Sequence, residues 1–138
     1  MNEMEATIWD TNMGGCMDAA TWLERGEQIL INARRVRLFL EAQAKQHGLS
    51  EPELAVLWAC DGSPAGGLGQ NELAEKLAVS PAHVSAMVER LDRAKLLCGR
   101  AAEDDRRRRL WKPTPAGMIL LRSVIDSLPN VVQHLGAA

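Results

Sequence analysis

Between Met17 and Gln46 the apolar residues recur at helical rather than alternating spacing, with no proline and a single glycine, and this predicts one long helix over 17–47. Trp22, Ile29 and Val36 repeat every seven residues, as do Gly26, Ala33 and Leu40. Leu23, Leu30, Ile31, Leu38 and Phe39 widen the stripe beyond what one supporting surface covers. At 1.5 Å per residue the helix would run about 45 Å, more than a domain of this size spans. The surplus face, with Trp22, Ile29, Ala33, Val36 and Leu40, is therefore expected to meet a second copy of the chain. His47-Gly48 closes the helix, and Ser50-Glu51-Pro52-Glu53 starts another with a serine N-cap and early acids at the positive helix end. Leu54, Val56, Leu57 and Trp58 are its expected core residues, with the wall of a ligand pocket as the second reading for Trp58. Four glycines then interrupt the pattern between Asp61 and Gly69. No strand precedes them and no Gly-Lys-Ser/Thr follows, so they read as a connector rather than a phosphate loop.

The pattern is most informative after that break. Gln70 to Leu77 is a short amphipathic helix, Ala78-Val79 a tight turn, and Ser80-Pro81 opens a further helix with serine as N-cap and proline at the first helical position. Val84, Met87, Val88 and Leu91 form its buried face. Two short helices joined by so short a turn predict a helix-turn-helix. Extended segments follow at Leu96–Arg100 and Arg108–Lys112, flanking a charged tip, and a hairpin in that position is a wing. Thr114-Pro115 repeats the cap-and-proline signal and begins a last amphipathic helix that stops before Pro129. The expected fold is thus mainly α, a winged helix-turn-helix with a long N-terminal helix and a C-terminal helix for dimerisation. Residues 1–16 are polar and aperiodic and read as a loosely ordered arm; 17–138 form one domain, divided into the dimerisation helix 17–47, the winged helix 50–114 and a shortened C-terminal helical segment 115–138.

Composition narrows the class. At 46% hydrophobic and 25% charged residues the chain is a folded globular protein rather than a disordered polyelectrolyte, and no apolar run is long enough for a membrane span. The N-terminus has neither the basic start nor the apolar core of a secretory signal, so a cytoplasmic protein is expected. Cys16, Cys60 and Cys98 are odd in number and widely spaced, which fits neither a disulfide framework nor a zinc site. Cys60 and Cys98 are expected as small buried residues. His47, His83 and His134 have no metal-ligand spacing, and no nucleophile, base and acid arrangement is visible, so neither catalysis nor a metal or other cofactor is expected.

The net charge of −2 conceals an asymmetry: residues 1–61 hold ten acids against five bases, residues 62–138 eight acids against eleven bases. Within 95–112, seven bases face only Glu103, Asp104 and Asp105. A local excess of this kind on a helix-turn-helix is the electrostatic footprint of a polyanion partner, double-stranded DNA. The second helix of such a motif enters the major groove, which makes Ser80, Ala82, His83, Ser85 and Ala86 the candidate groove residues and Arg90 a phosphate contact. Only His83 and Ser85 can hydrogen-bond a base edge from the leading turns, so direct readout is modest. Arg106, Arg107, Arg108 and Arg109 would alternate faces in an extended strand, so about two should reach the minor groove or its phosphates. Asp105 is expected to brace the wing by pairing with an arginine.

The ordered set Leu49-Ser50, Glu53-Leu54-x-Val56-Leu57, Glu72-Leu73-Ala74-x-x-Leu77, Val84-Ser85-x-x-Val88-x-Arg90-Leu91, Asp105-x-Arg107 and Thr114-x-x-Gly117 resembles the MarR family of bacterial regulators over about residues 17–128. The resemblance implies a winged-helix homodimer on pseudo-palindromic operator DNA, with Asp105 and Arg107 as the family's wing aspartate and arginine and a small-molecule effector as a further partner. Peroxide-sensing relatives carry a reactive thiol near the position of Cys16, in tyrosine-lined pockets; this chain has no tyrosine. Four departures stand out, the first being that Ala86 stands where many members carry a polar or basic groove residue. Lys95 replaces the usual glycine after the recognition helix and must accept an unusual backbone angle or reshape the wing entry. Pro113 cannot donate to a sheet ladder and should shorten the last strand. Few residues follow Pro129 where the family continues into another helix, so dimerisation should lean on residues 17–46. A winged-helix protein–protein interaction module with little or no DNA binding is the alternative that the overall acidity and the sparse recognition face allow.

Overall fold

The computed structural model describes residues 18–64 and 66–128. The expected arm 1–16, Cys16, His134 and the tail 129–138 lie outside the described residues. The elements run α1 (Ala19–Lys45), α2 (Glu51–Asp61), α3 (Gln70–Leu77), α4 (Pro81–Arg93), β1 (Leu97–Ala101), β2 (Arg109–Pro113) and α5 (Pro115–Ser127). The architecture is mainly helical with a two-stranded antiparallel wing.

The chain divides into two units between Arg37 and Leu38. In the first, Asp18 opens α1 by accepting a hydrogen bond from the Thr21 amide at 2.7 Å, and that bond holds its carboxyl below the usual value. Leu23, Ile29, Leu30 and Val36 along this part of the helix are all exposed, by 41 to 62%. Ala33 is exposed as well and Trp22 is half-buried.

In the second unit the last turns of α1 deliver buried Ala44 and half-buried Leu40 to the core. Leu40, expected at a subunit contact, is therefore partly taken up by its own chain. The expected serine cap on α2 is a full capping box: Ser50 Oγ accepts from the Glu53 amide and the Glu53 carboxylate accepts from the Ser50 amide. The core joins Leu54, Val56, Leu57 and Cys60 of α2 to Leu73 of α3, Val84, Met87, Val88 and Leu91 of α4, and Leu97, Trp111, Leu121 and Val124. Each such large side chain contributes roughly 1.5–3 kcal/mol on burial.

Two burial expectations are corrected. Cys60 is buried as expected, and desolvation pushes its thiol up to about 12. Cys98 is exposed instead, because Leu97 takes the inward position on β1 and the next residue of a strand points the other way. Trp58 is not in the core but 58% exposed: Leu57 and Cys60 face inward, and Trp58, one residue past Leu57 on the helix, is turned out of that surface.

The turn of the helix-turn-helix rests on Ala78 in the left-handed conformation at φ +54, and α4 follows with Ser80 Oγ accepting from the His83 amide at 3.2 Å. Lys95 accepts the unusual angle, at φ +61, and its carbonyl receives the Thr114 hydroxyl at 2.6 Å. Pro113 stands at the end of β2, opposite Leu97, where a missing donor costs little. The connector is docked more firmly than its glycines suggested: Leu68 pairs with Trp111 through two backbone hydrogen bonds, and a Cβ on Gly67 would overlap the Trp111 backbone. The spacing Thr114-x-x-Gly117 also has a steric basis. Thr114 Oγ1 accepts from the Gly117 amide, and a Cβ on Gly117 would overlap the Leu96 carbonyl.

Candidate nucleic-acid interface

Helix α4 buries Val84, Met87, Val88 and Leu91 and leaves Ser80, Ala82, His83, Ser85 and Ala86 exposed on its leading turns. The groove residues expected from the sequence thus share one solvent-facing surface, and the proline at its first position leaves the helix start without that N–H donor. Arg90 is placed differently from the expectation. Its Nη1 lies 3.2 Å from Glu53 Oε1 and its Nη2 donates to the Gly48 carbonyl at 3.2 Å, so the guanidinium expected on a phosphate is bound within the chain. The cause is Glu53, which is only 2% exposed and whose carboxylate needs a cation.

The wing separates its four arginines by geometry that strand alternation does not describe, since residues 102–108 form a turn rather than strand. Asp105 closes that turn: its Oδ1 accepts from the Arg107 amide at 3.0 Å and its carbonyl from the Arg108 amide at 3.1 Å. Asp105 therefore braces the wing through backbone donors, not through the arginine pair expected, because an aspartate two residues before an amide forms an Asx turn without reaching for a side chain. Arg109 stacks 5.1 Å from the Trp111 ring centre and donates to the Gly99 carbonyl. Arg108 pairs with Glu72 at 3.1 Å. Arg106 and Arg107, exposed at the tip, have no side-chain partner among the described residues.

The model of the MarR family matches residues 47–108, the span from the end of α1 to the wing tip. Over that segment the chain is similar to the MarR family. Solved structures agree in fold. BldR, a transcriptional regulator from Sulfolobus solfataricus, is similar at 22% identity and a TM-score of 0.73, over 86% of this chain and 85% of its own. MepR, a transcription regulator of the Staphylococcus aureus multidrug efflux pump MepA, is similar at 19% identity and a TM-score of 0.71, over 81% and 82%. A mutant of MepR bound to an oligodeoxyribonucleotide is similar at 21% identity and a TM-score of 0.62, over 88% and 84%. No curated protein matches the sequence.

Two concave features of the second unit, among the described residues, bear on function. One is polar, about 370 Å³, lined by Gly69, Gln70 and Asn71 at the start of α3 and by Arg107, Arg108 and Arg109 of the wing. Gly69, Gln70 and Asn71 were not singled out from the sequence. The signal was available in a polar run at the start of the first helix of the motif, the helix that crosses the DNA backbone. The other is an apolar groove of about 280 Å³ where Leu40, Leu54, Trp58, Leu121, Val124 and Leu128 converge. Among the described residues no group of three or more His, Cys, Asp or Glu side chains is arranged to hold a metal, and no helix is long and apolar enough to cross a membrane.

Proposed function

We propose that the chain is a cytoplasmic, sequence-specific DNA-binding transcriptional regulator, acting as a homodimer on a pseudo-palindromic operator. The observation that carries this reading is the pairing of an exposed α4 surface, Ser80 to Ala86, with a wing whose Arg106 and Arg107 side chains have no partner among the described residues. The helix supplies His83 and Ser85 to base edges, and the wing supplies the charge that the helix lacks. The similarity of residues 47–108 to the MarR family and the fold shared with an oligonucleotide-bound MepR support it.

Binding of a fluorescent duplex of mixed sequence, titrated against salt, tests the reading. We expect a steep negative log-log slope that becomes shallower by about 0.9 for each phosphate contact removed when Arg106 and Arg107 are replaced by alanine. No binding at low salt would overturn it and leave the interaction module as the better account. Effector control belongs to the same proposal. The groove beside Trp58 is sized and lined for a small apolar or aromatic molecule. An aromatic carboxylic acid such as benzoate should quench tryptophan fluorescence in the wild type and not in Trp58→Leu; equal quenching in both would remove the groove from the account.

A further inference from the structure

Among the described residues Arg108 is the one of the four tip arginines, 106–109, that is paired with a carboxylate, and that carboxylate is itself open to solvent. Arg90 is tied to a buried carboxylate and Arg109 to a ring and a carbonyl. The Arg108 and Glu72 side chains, by contrast, are 50% and 46% exposed, with Nη2 to Oε1 at 3.1 Å. An exposed pair of this kind gains little from its Coulomb attraction and exchanges readily. It also lies where an anion would be held. Glu72 is in the first turn of α3, and Gly69 caps that helix with no side-chain hydrogen bond. A Cβ on Gly69 would be 3.4 Å from Glu72 Oε1 and 3.8 Å from Arg108 Nε. Gly69, Gln70 and Asn71 line the polar cleft together with Arg107, Arg108 and Arg109.

We propose that Glu72 is an internal stand-in for a DNA phosphate: it holds Arg108 in the free protein and yields it to the duplex backbone on binding. The inference rests on the DNA-binding reading and deepens it by assigning a residue that limits affinity without touching a base. A phosphodiester offers the guanidinium the same bidentate geometry and the same single negative charge as a carboxylate, and the counterions released from the duplex favour the exchange of partners. Loss of the competing carboxylate should free Arg108 in advance.

The test is a four-protein cycle of wild type, Glu72→Gln, Arg108→Ala and the double variant, each titrated with the mixed-sequence duplex over a salt series, with circular dichroism to confirm folding. Glu72→Gln should tighten binding about 3- to 10-fold with the salt slope almost unchanged, since Arg108 reaches the same phosphate in both complexes, whereas Arg108→Ala should make the slope shallower by about 0.9. In the Arg108→Ala background Glu72→Gln should do almost nothing. A gain that persists without Arg108 would mean plain charge repulsion and overturn the proposal. Weaker binding by Glu72→Gln would show instead that the pair braces the wing, and an unchanged affinity would also overturn the proposal. A wild type that fails to bind any duplex removes the DNA reading itself and this role with it.

Discussion

Glu53 and Arg90 form an ion pair whose two ends are unequal, one 2% exposed and the other 63%. Glu53 Oε1 also accepts from the Ser50 amide and hydroxyl, at 3.0 and 2.9 Å, whereas Oε2 has no hydrogen-bond partner. Removing Arg90 leaves a buried charge with only the serine donors; removing the charge at Glu53 leaves an arginine that water can solvate. The asymmetry predicts that Arg90→Ala destabilises the fold by about 3 kcal/mol, the lower end for a broken buried pair because Ser50 remains. Glu53→Gln keeps an acceptor for the cap and should cost about 1 kcal/mol, the scale of one hydrogen bond. Urea unfolding of both variants checks this, and equal losses would show that burial of Glu53 does not set the balance. The same pair was not visible from the sequence. There Arg90 is one more base on the outer face of a recognition helix, and only the folded chain reveals the acid beneath it.

Elements with local signals were legible before the structure. Ser50, Ser80 and Thr114 cap α2, α4 and α5 as their sequence context indicates, each followed by a proline in the first turn. The four buried residues of α4 are the ones its spacing selects. Features that depend on another part of the chain were not legible. The docking of Leu68 on Trp111 needs two segments more than forty residues apart, and the outward turn of Trp58 depends on how much of α2 its neighbours cover. The wing shows both cases. Its existence followed from the position of a hairpin after a helix-turn-helix, but the fates of Arg108 and Arg109 depended on Glu72 and Gly99, which lie elsewhere in sequence, as well as on Trp111 two residues further along β2. Where the tip is a turn, alternation has no authority over side-chain direction, so the period-two argument could count the arginines but not choose among them.

For the whole molecule the open question is what covers the exposed face of α1. Trp22, Ile29 and Val36 recur at the seven-residue interval of a helix–helix seam, and Ile29 is 51% exposed and Val36 41%. Leu23 and Leu30, at 62% and 55%, add a second row of the same period. A lone soluble chain rarely presents so much apolar surface along one helix, whereas a twofold contact would bury it twice over. Dimerisation would also give the sparse recognition helix a second copy, with two half-sites one helical turn apart. We therefore expect sedimentation equilibrium to give twice the mass of the chain at micromolar concentration, and Ile29→Glu to give the single mass, since a charge in an apolar seam has no partner. The same substitution should cut the salt slope of DNA binding to about half, because each subunit contributes its own set of phosphate contacts. A wild type that sediments as one chain, or an Ile29→Glu variant that keeps both the double mass and the full slope, would show that this face of α1 is not the seam.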